Sequence, residues 1–143
     1  MDSEKTPDQY MRTNTMYRPS YLMSTLCAVM LLSTTAVAAG DVAKGKRVFN
    51  KCKACHVVHK EKNRIGPHLV ELFGRKAGTV EKFKYSKAMK NSGIIWDEKT
   101  LDAYLKKPRS FMKGTRMPFA GLKKDKDREN IIAYLKEATQ RKK

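Results

Sequence analysis

An all-α domain of about five short helices, wrapped around a filler that the chain does not itself supply, is the fold this sequence predicts. Three observations lead there. Nothing alternates apolar and polar residues with period two over a useful length, so no sheet is expected. Apolar residues recur instead at helical spacing in short blocks, separated by loops marked with Gly and Pro. Few apolar side chains remain after Ala39, too few for short helices and long loops to bury a full core among themselves.

The first element is an address. Tyr21 to Leu32 is a short apolar run, preceded by Arg12 and Arg18 and followed by small residues from Ser33 to Gly40. That order matches the basic, apolar and small-residue regions of a secretory signal. Ala36-Val37-Ala38 has the A-x-A form, so residues 1–39 are expected to be removed, with the cut after Ala38 or Ala39. The acidic start is odd for such a segment, which leaves Met11 or Met16 open as the native start. The run is short for a bilayer, and no linker separates it from the first helix, which argues against a retained anchor. Leu26 directly before Cys27 is too bulky for a lipid-attachment signal, so Cys27 is expected to leave with the signal.

The domain is then residues 40–143. Asp41 to Asn50 reads as a helix, with Asp41 as N-cap, Val42, Val48 and Phe49 on its apolar side, and a gap at Gly45. Residues 59–66 are polar and loop-like. His68 to Phe73 reads as one or two helical turns stopped by Gly74. Tyr85 to Lys90 is a short helix ended by Asn91-Ser92-Gly93. Asp97 caps a stronger one, with Leu101, Tyr104 and Leu105 on one face, stopped by Pro108. Gly114 to Gly121 is loop. The last helix starts near Asp125 and runs to about Thr139, with Ile131, Ile132, Leu135 and Ala138 at helical spacing.

The formal charge is +17, from 31 Lys and Arg against 14 Asp and Glu. Before Gly40 the basic residues Lys5, Arg12 and Arg18 are cancelled by Asp2, Glu4 and Asp8, so the whole excess falls on the domain. Such a domain is drawn to an acidic surface at a salt-sensitive rate. Nucleic acid, an anionic membrane and an acidic patch on a protein all qualify.

Cys52-Lys53-Ala54-Cys55-His56 carries the chemistry. C-x-x-C-H is the attachment signature for c-type haem. Two thiols on one helical turn add across two vinyl groups as thioethers, and the adjacent His ligates the iron. The motif follows an export signal, where this attachment takes place. The rivals are structural zinc, held by Cys52, Cys55 and two of His56, His59 and His68, and a thioredoxin-like thiol site. Zinc wants four ligands, and the thiol site wants a βαβ context that this chain lacks.

With His56 on one side of the iron, Met is the common ligand opposite. Past Ala39 the methionines are Met89, Met112 and Met117. Met117 lies in Gly114-Thr115-Arg116-Met117-Pro118, where the backbone is able to approach a flat cofactor. Met89 sits on an expected helix and Met112 beside Phe111, so both read as packing residues. A thioether favours reduced iron, and two protein ligands leave no position for oxygen or peroxide.

These residues, taken together, resemble class I cytochrome c. The likeness covers nearly all of residues 40–139. It rests on Gly40-Asp41-Val42 with Gly45 and Phe49, the Cys52–His56 motif, Gly66-Pro67-His68-Leu69 and Leu72-Phe73-Gly74-Arg75. It continues through Trp96, Tyr104-Leu105, Pro108, Gly114 to Gly121 and Ile132-Ala133-Tyr134-Leu135. The resemblance implies the cytochrome c fold around one covalent haem c, with Cys52 and Cys55 as thioethers and His56 and Met117 as axial ligands. It implies that Pro67's carbonyl accepts from His56, that Tyr104 and Thr115 support Met117, and that Arg75, Tyr85 and Trp96 hold the haem propionates. Gly45, Phe49, Tyr134 and Leu135 would make the crossing of the first and last helices. Met89 departs from the family, which usually has Asn there, and points to a drier, shifted site. The short loop at residues 59–66 and Phe49 only three residues before Cys52 fit the bacterial forms better.

The function implied is that of a soluble, monomeric, periplasmic single-electron carrier in a respiratory chain, not an enzyme. It would run between a quinol-oxidising cytochrome bc complex and a terminal oxidase or similar acceptor. Lys46, Arg47, Lys51, Lys53, Lys113, Arg116 and Lys123 would surround the haem edge and dock on acidic patches of both. Transient adhesion to anionic lipid fits the charge; nucleic acid binding does not fit an exported protein. The alternative is a haem peroxidase with Met117 dissociated.

Overall fold

The computed structural model describes residues 40–141. The signal segment expected at residues 1–39 lies outside them. Five helices follow in order: α1 Val42–Phe49, α2 Lys87–Lys90, α3 Glu98–Lys106, α4 Pro108–Phe111 and α5 Asp125–Ala138. Among the described residues there is no strand, only an isolated bridge between Lys76 and Ile95. No helix among them is long and apolar enough to cross a membrane.

Each helix begins for a local reason. Asp41 caps α1 by accepting from the Lys44 N–H at 2.8 Å. Ser86 caps α2, accepting from Met89. Asp97 and Thr100 form a reciprocal capping box on α3. α5 has no side-chain cap, but Asp125 and Asp127 place negative charge on its first turn, where the helix dipole favours it.

α1 and α5 cross backbone to backbone. A Cβ on Gly45 would overlap the carbonyl oxygen of Asn130, so only glycine permits this approach. Phe49 then packs on Tyr134, with ring centroids 5.3 Å apart. Val42, expected on the buried side, is 38% exposed, because Gly45 and Phe49 make the contact instead.

Two further expectations are corrected. Residues 68–73 form no helix. Glu71 sits at φ 54, in the left-handed region that breaks a helical run, and its N–H donates to the Thr139 carbonyl at 2.6 Å. Arg75 takes the Val70 and His68 carbonyls, which a helix would have used internally. Pro108 does end α3, but it also opens α4, whose first position suits its fixed φ and missing N–H. The count of five thus holds with one member exchanged.

The core is one cluster, in which Leu101, Tyr104 and Leu105 of α3 meet Ile131, Ile132 and Leu135 of α5. It is not closed. A cavity of about 500 Å³, lined by Phe49, Leu72, Trp96, Leu101 and Leu135 among others, opens within it. That is where the shortage of apolar side chains appears.

Candidate cofactor site

The chain turns directly out of α1 into the cavity. Cys52 N–H donates to Phe49 O at 2.8 Å, Cys55 N–H to Cys52 O at 3.0 Å, and His56 N–H to Cys52 O at 2.9 Å. These successive turns bring both thiols and the imidazole to the cavity wall. Both cysteines are free and half-buried. Burial, and then the neighbouring Cys55, pushes the Cys52 thiol up to about 11. Cys52 is therefore a protonated thiol at neutral pH, unlike the thiolate of a thiol-redox site. Among the described residues no group of three or more His, Cys, Asp or Glu is placed to hold a metal ion, where structural zinc wants four ligands.

His56 is fixed in both orientation and tautomer. Its Nδ1–H donates to the Pro67 carbonyl at 2.8 Å. Gly66 lies against the ring, where a Cβ would stand 2.5 Å from Cε1, so no larger residue fits beside it. Burial lowers the pKa of His56, against the raising effect of the Pro67 bond, and keeps the ring neutral. With Nδ1 as donor, Nε2 carries the free lone pair.

Met117 reaches the same cavity from the loop between α4 and α5. Tyr104 Oη lies 3.6 Å from its Sδ and 3.0 Å from Thr115 Oγ1. The Met117 N–H points to Thr115 Oγ1 at 3.4 Å. Burial raises the Tyr104 pKa, so its hydroxyl stays protonated and able to donate. Met89 also lines the cavity, while Met112 is core.

Arg75, Tyr85 and Trp96 all line this cavity. The Arg75 guanidinium donates to Val70 O at 2.6 Å and His68 O at 3.1 Å; these carbonyls hold its charge without neutralising it. Burial lowers the pKa of Arg75 and raises that of the adjacent Tyr85. A half-buried cation beside a phenol suits an anionic group at the cavity wall. Trp96 packs on Tyr104, with centroids 5.2 Å apart.

Exposed Lys51, Lys84 and Arg116 line the cavity where it meets solvent, beside Ile65, which is 77% exposed. Lys46, Arg47, Lys53, Lys113 and Lys123 are exposed as well. Lys84 was not anticipated from the sequence. Arg128 was also missed, although a signal existed: it shares the i+3, i+4 and i+7 face with Ile131, Ile132 and Leu135. Its guanidinium is buried among Asp102, Asp125 and two carbonyls.

The residues present therefore fit a flat apolar group bearing anions. Two thiols stand ready for covalent attachment, a neutral imidazole offers Nε2, and a thioether lies at the same cavity. The volume is in the range of ordinary cofactor sites.

Comparison with known proteins agrees. The family model described as cytochrome c matches residues 42–139. Cytochrome c2 of Rhodomicrobium vannielii is 49% identical over 109 residues, spanning 76% of this chain and 87% of that protein. Cytochrome c of Gibberella zeae is 49% identical over 105 residues, or 72% of this chain and 99% of its own. Among solved structures, cytochrome cH from Methylobacterium extorquens superposes with a TM-score of 0.65 at 43% identity, covering 68% of this chain and 98% of that one.

Proposed function

The chain belongs to the cytochrome c family, and from that premise we propose that it carries single electrons at the cavity where Cys52, Cys55, His56 and Met117 meet. Members of this family are haem electron carriers, not enzymes, and the chain carries one covalently attached haem c. When bound, the haem supplies an iron that cycles between ferric and ferrous states one electron at a time. Cys52 and Cys55, free thiols at the cavity wall, would hold it covalently as thioethers. His56 through Nε2 and Met117 through Sδ would be the two residues that hold the iron, a pair suited to electron transfer rather than to oxygen or peroxide chemistry. The soft Met117 sulfur would favour the reduced iron. Tyr104 and Thr115 hold that sulfur, Pro67 orients the imidazole, and Arg75, Tyr85 and Trp96 would hold the propionates.

The protein is exported, loses residues 1–39, and works in the periplasm as a monomer. It takes electrons from a quinol-oxidising cytochrome bc complex and gives them to a terminal oxidase of a respiratory chain. Lys51, Lys84 and Arg116 around the cavity mouth support docking on an acidic partner surface, with encounter steered by charge and weakened by salt. The same charge allows transient contact with anionic lipid.

The observation that carries this reading is the convergence of two free thiols, a neutral imidazole and a thioether on one apolar cavity. The visible spectrum of the exported protein tests it. Low-spin bands in the reduced form, with the weak sulfur-to-iron band in the oxidised form, are expected. A high-spin ferric spectrum would mean an open coordination position and would return the peroxidase alternative.

A further inference from the structure

The peptide unit joining Pro67 to His68 is held at both ends. Its carbonyl oxygen accepts from His56 Nδ1–H at 2.8 Å. Its N–H donates to Asn63 Oδ1 at 3.1 Å. The Asn63 side-chain amide then donates through Nδ2 to the Glu81 carbonyl at 2.9 Å. Read from His56, the run is imidazole N–H to peptide, peptide N–H to side-chain amide, and side-chain amide N–H to peptide. Both intervening amides accept at oxygen and donate at nitrogen, so their dipoles line up head to tail.

Aligned hydrogen bonds polarise one another. Electron density drawn along this run accumulates on the Pro67 oxygen and makes it a stronger acceptor for His56 Nδ1–H. A ring whose N–H is held more strongly is a more basic ligand at its other nitrogen. A more basic ligand favours the oxidised metal, and hydrogen bonding of this kind is one of the levers on a haem potential. Asn63 is half-buried and lies 18 residues from Glu81 in sequence. Its two ends serve both bonds at once, which Asp, an acceptor only, or Leu, neither donor nor acceptor, is unable to do.

We propose that Asn63 is a positioning residue for His56, setting the electron donation of the imidazole through the Pro67–His68 peptide and thereby lowering the reduction potential. The proposal rests on the reading of His56 as an axial ligand. It separates cleanly from a merely structural role by sign. If Asn63 only pins the loop, its loss admits water toward the site, and solvent exposure stabilises the more charged oxidised form and lowers the potential. If it polarises the peptide, its loss raises the potential.

The test uses the mature haem-loaded protein with Asn63→Leu and Asn63→Asp. Asn63→Leu removes both bonds. It should raise the potential and speed solvent exchange of the His56 Nδ1 proton, read by NMR on the reduced protein, by about 2- to 10-fold, the equivalent of one neutral hydrogen bond. Asn63→Asp keeps an acceptor for His68 N–H and makes it stronger, so exchange should slow. Exchange unchanged in both variants, or a lower potential in Asn63→Leu, overturns the proposal. A wild-type spectrum without low-spin ligation would instead remove the His56 assignment beneath it.

Discussion

The segment carrying His56 is tied down by backbone, whereas the segment carrying Met117 is tied down by side chains. Around His56 the main chain bonds to itself: Cys55 and His56 to Cys52 O, Gly66 N–H to Cys55 O at 3.0 Å, and Leu69 N–H to Val57 O at 2.7 Å. The loop after α4 has fewer such ties, chiefly Thr115 N–H to Met112 O and Leu122 N–H to Leu105 O. What holds it is Tyr104 and Thr115 beside Met117, and Arg128 at its exit. Arg128, whose side chain is 4% exposed, donates to Leu122 O at 2.9 Å and Lys123 O at 3.1 Å. It also bonds Asp102 of α3 at 2.7 Å and Asp125 at 2.6 Å. A segment fastened by a few side chains opens at lower cost than one fastened by its own backbone. Of the two proposed ligands, Met117 should therefore be the one that yields first.

The largest effect comes from cutting the covalent end of the His56 segment. Cys52→Ala with Cys55→Ala should yield no covalent haem; a denaturing gel that still stains for haem would sink the assignment. Met117→Ala should come next, keeping the haem attached while lowering the potential and opening the iron to carbon monoxide. Unchanged carbon monoxide binding would mean that Met117 is not axial. Arg128→Met sharpens the contrast without touching a ligand. It strips the Leu122 and Lys123 carbonyls of their donor and should cost about 2 to 3 kcal/mol by denaturant melt. Carbon monoxide should then bind faster while the His56 signature stays. Equal loosening of both ligands would break the comparison.

The smallest effect is a pH lever on the His56 side. Arg141 donates to Glu71 at 3.1 and 2.9 Å and to Glu61 at 2.8 Å, clasping the end of the chain to this segment. The Arg141 bonds hold the Glu71 carboxyl below its usual 4.5. The folded state thus binds fewer protons there than the unfolded one. Its contribution is complete above about 4.5 and fades as pH falls through the lower folded value. Glu71→Gln should be slightly less stable than the parent at neutral pH and equal to it in strong acid. Urea midpoints across pH measure this, and a gap that persists in acid would exclude the clasp as its source.

Much of the fold was legible because its signals are local. Asp41 and Asp97 lie directly before their helices and act within one turn. Residues 68–73 misled because their apolar content permits a helix, while the positive φ of Glu71 and its bond to Thr139 come from a partner about 70 residues away in sequence. Arg128 carried a visible anomaly, a charge on an apolar stripe. Asn63 carried none, since a polar residue in a polar loop looks like solvent-facing filler until both of its partners are known.

By itself, the sequence located the proposed attachment motif, because Cys52, Cys55 and His56 sit on one helical turn and need no distant residue to come together. It also determined that something must fill the middle, because the apolar side chains after Ala39 are too few. Only the tertiary structure decided which partners orient the proposed ligands His56 and Met117. The Pro67 carbonyl, the Gly66 notch beside the imidazole, the Tyr104–Thr115 pair at Met117 and the Arg128 bond to Asp102 all join residues ten or more positions apart along the chain. Such bonds depend on where packing places each backbone segment, and no window of neighbouring residues encodes that.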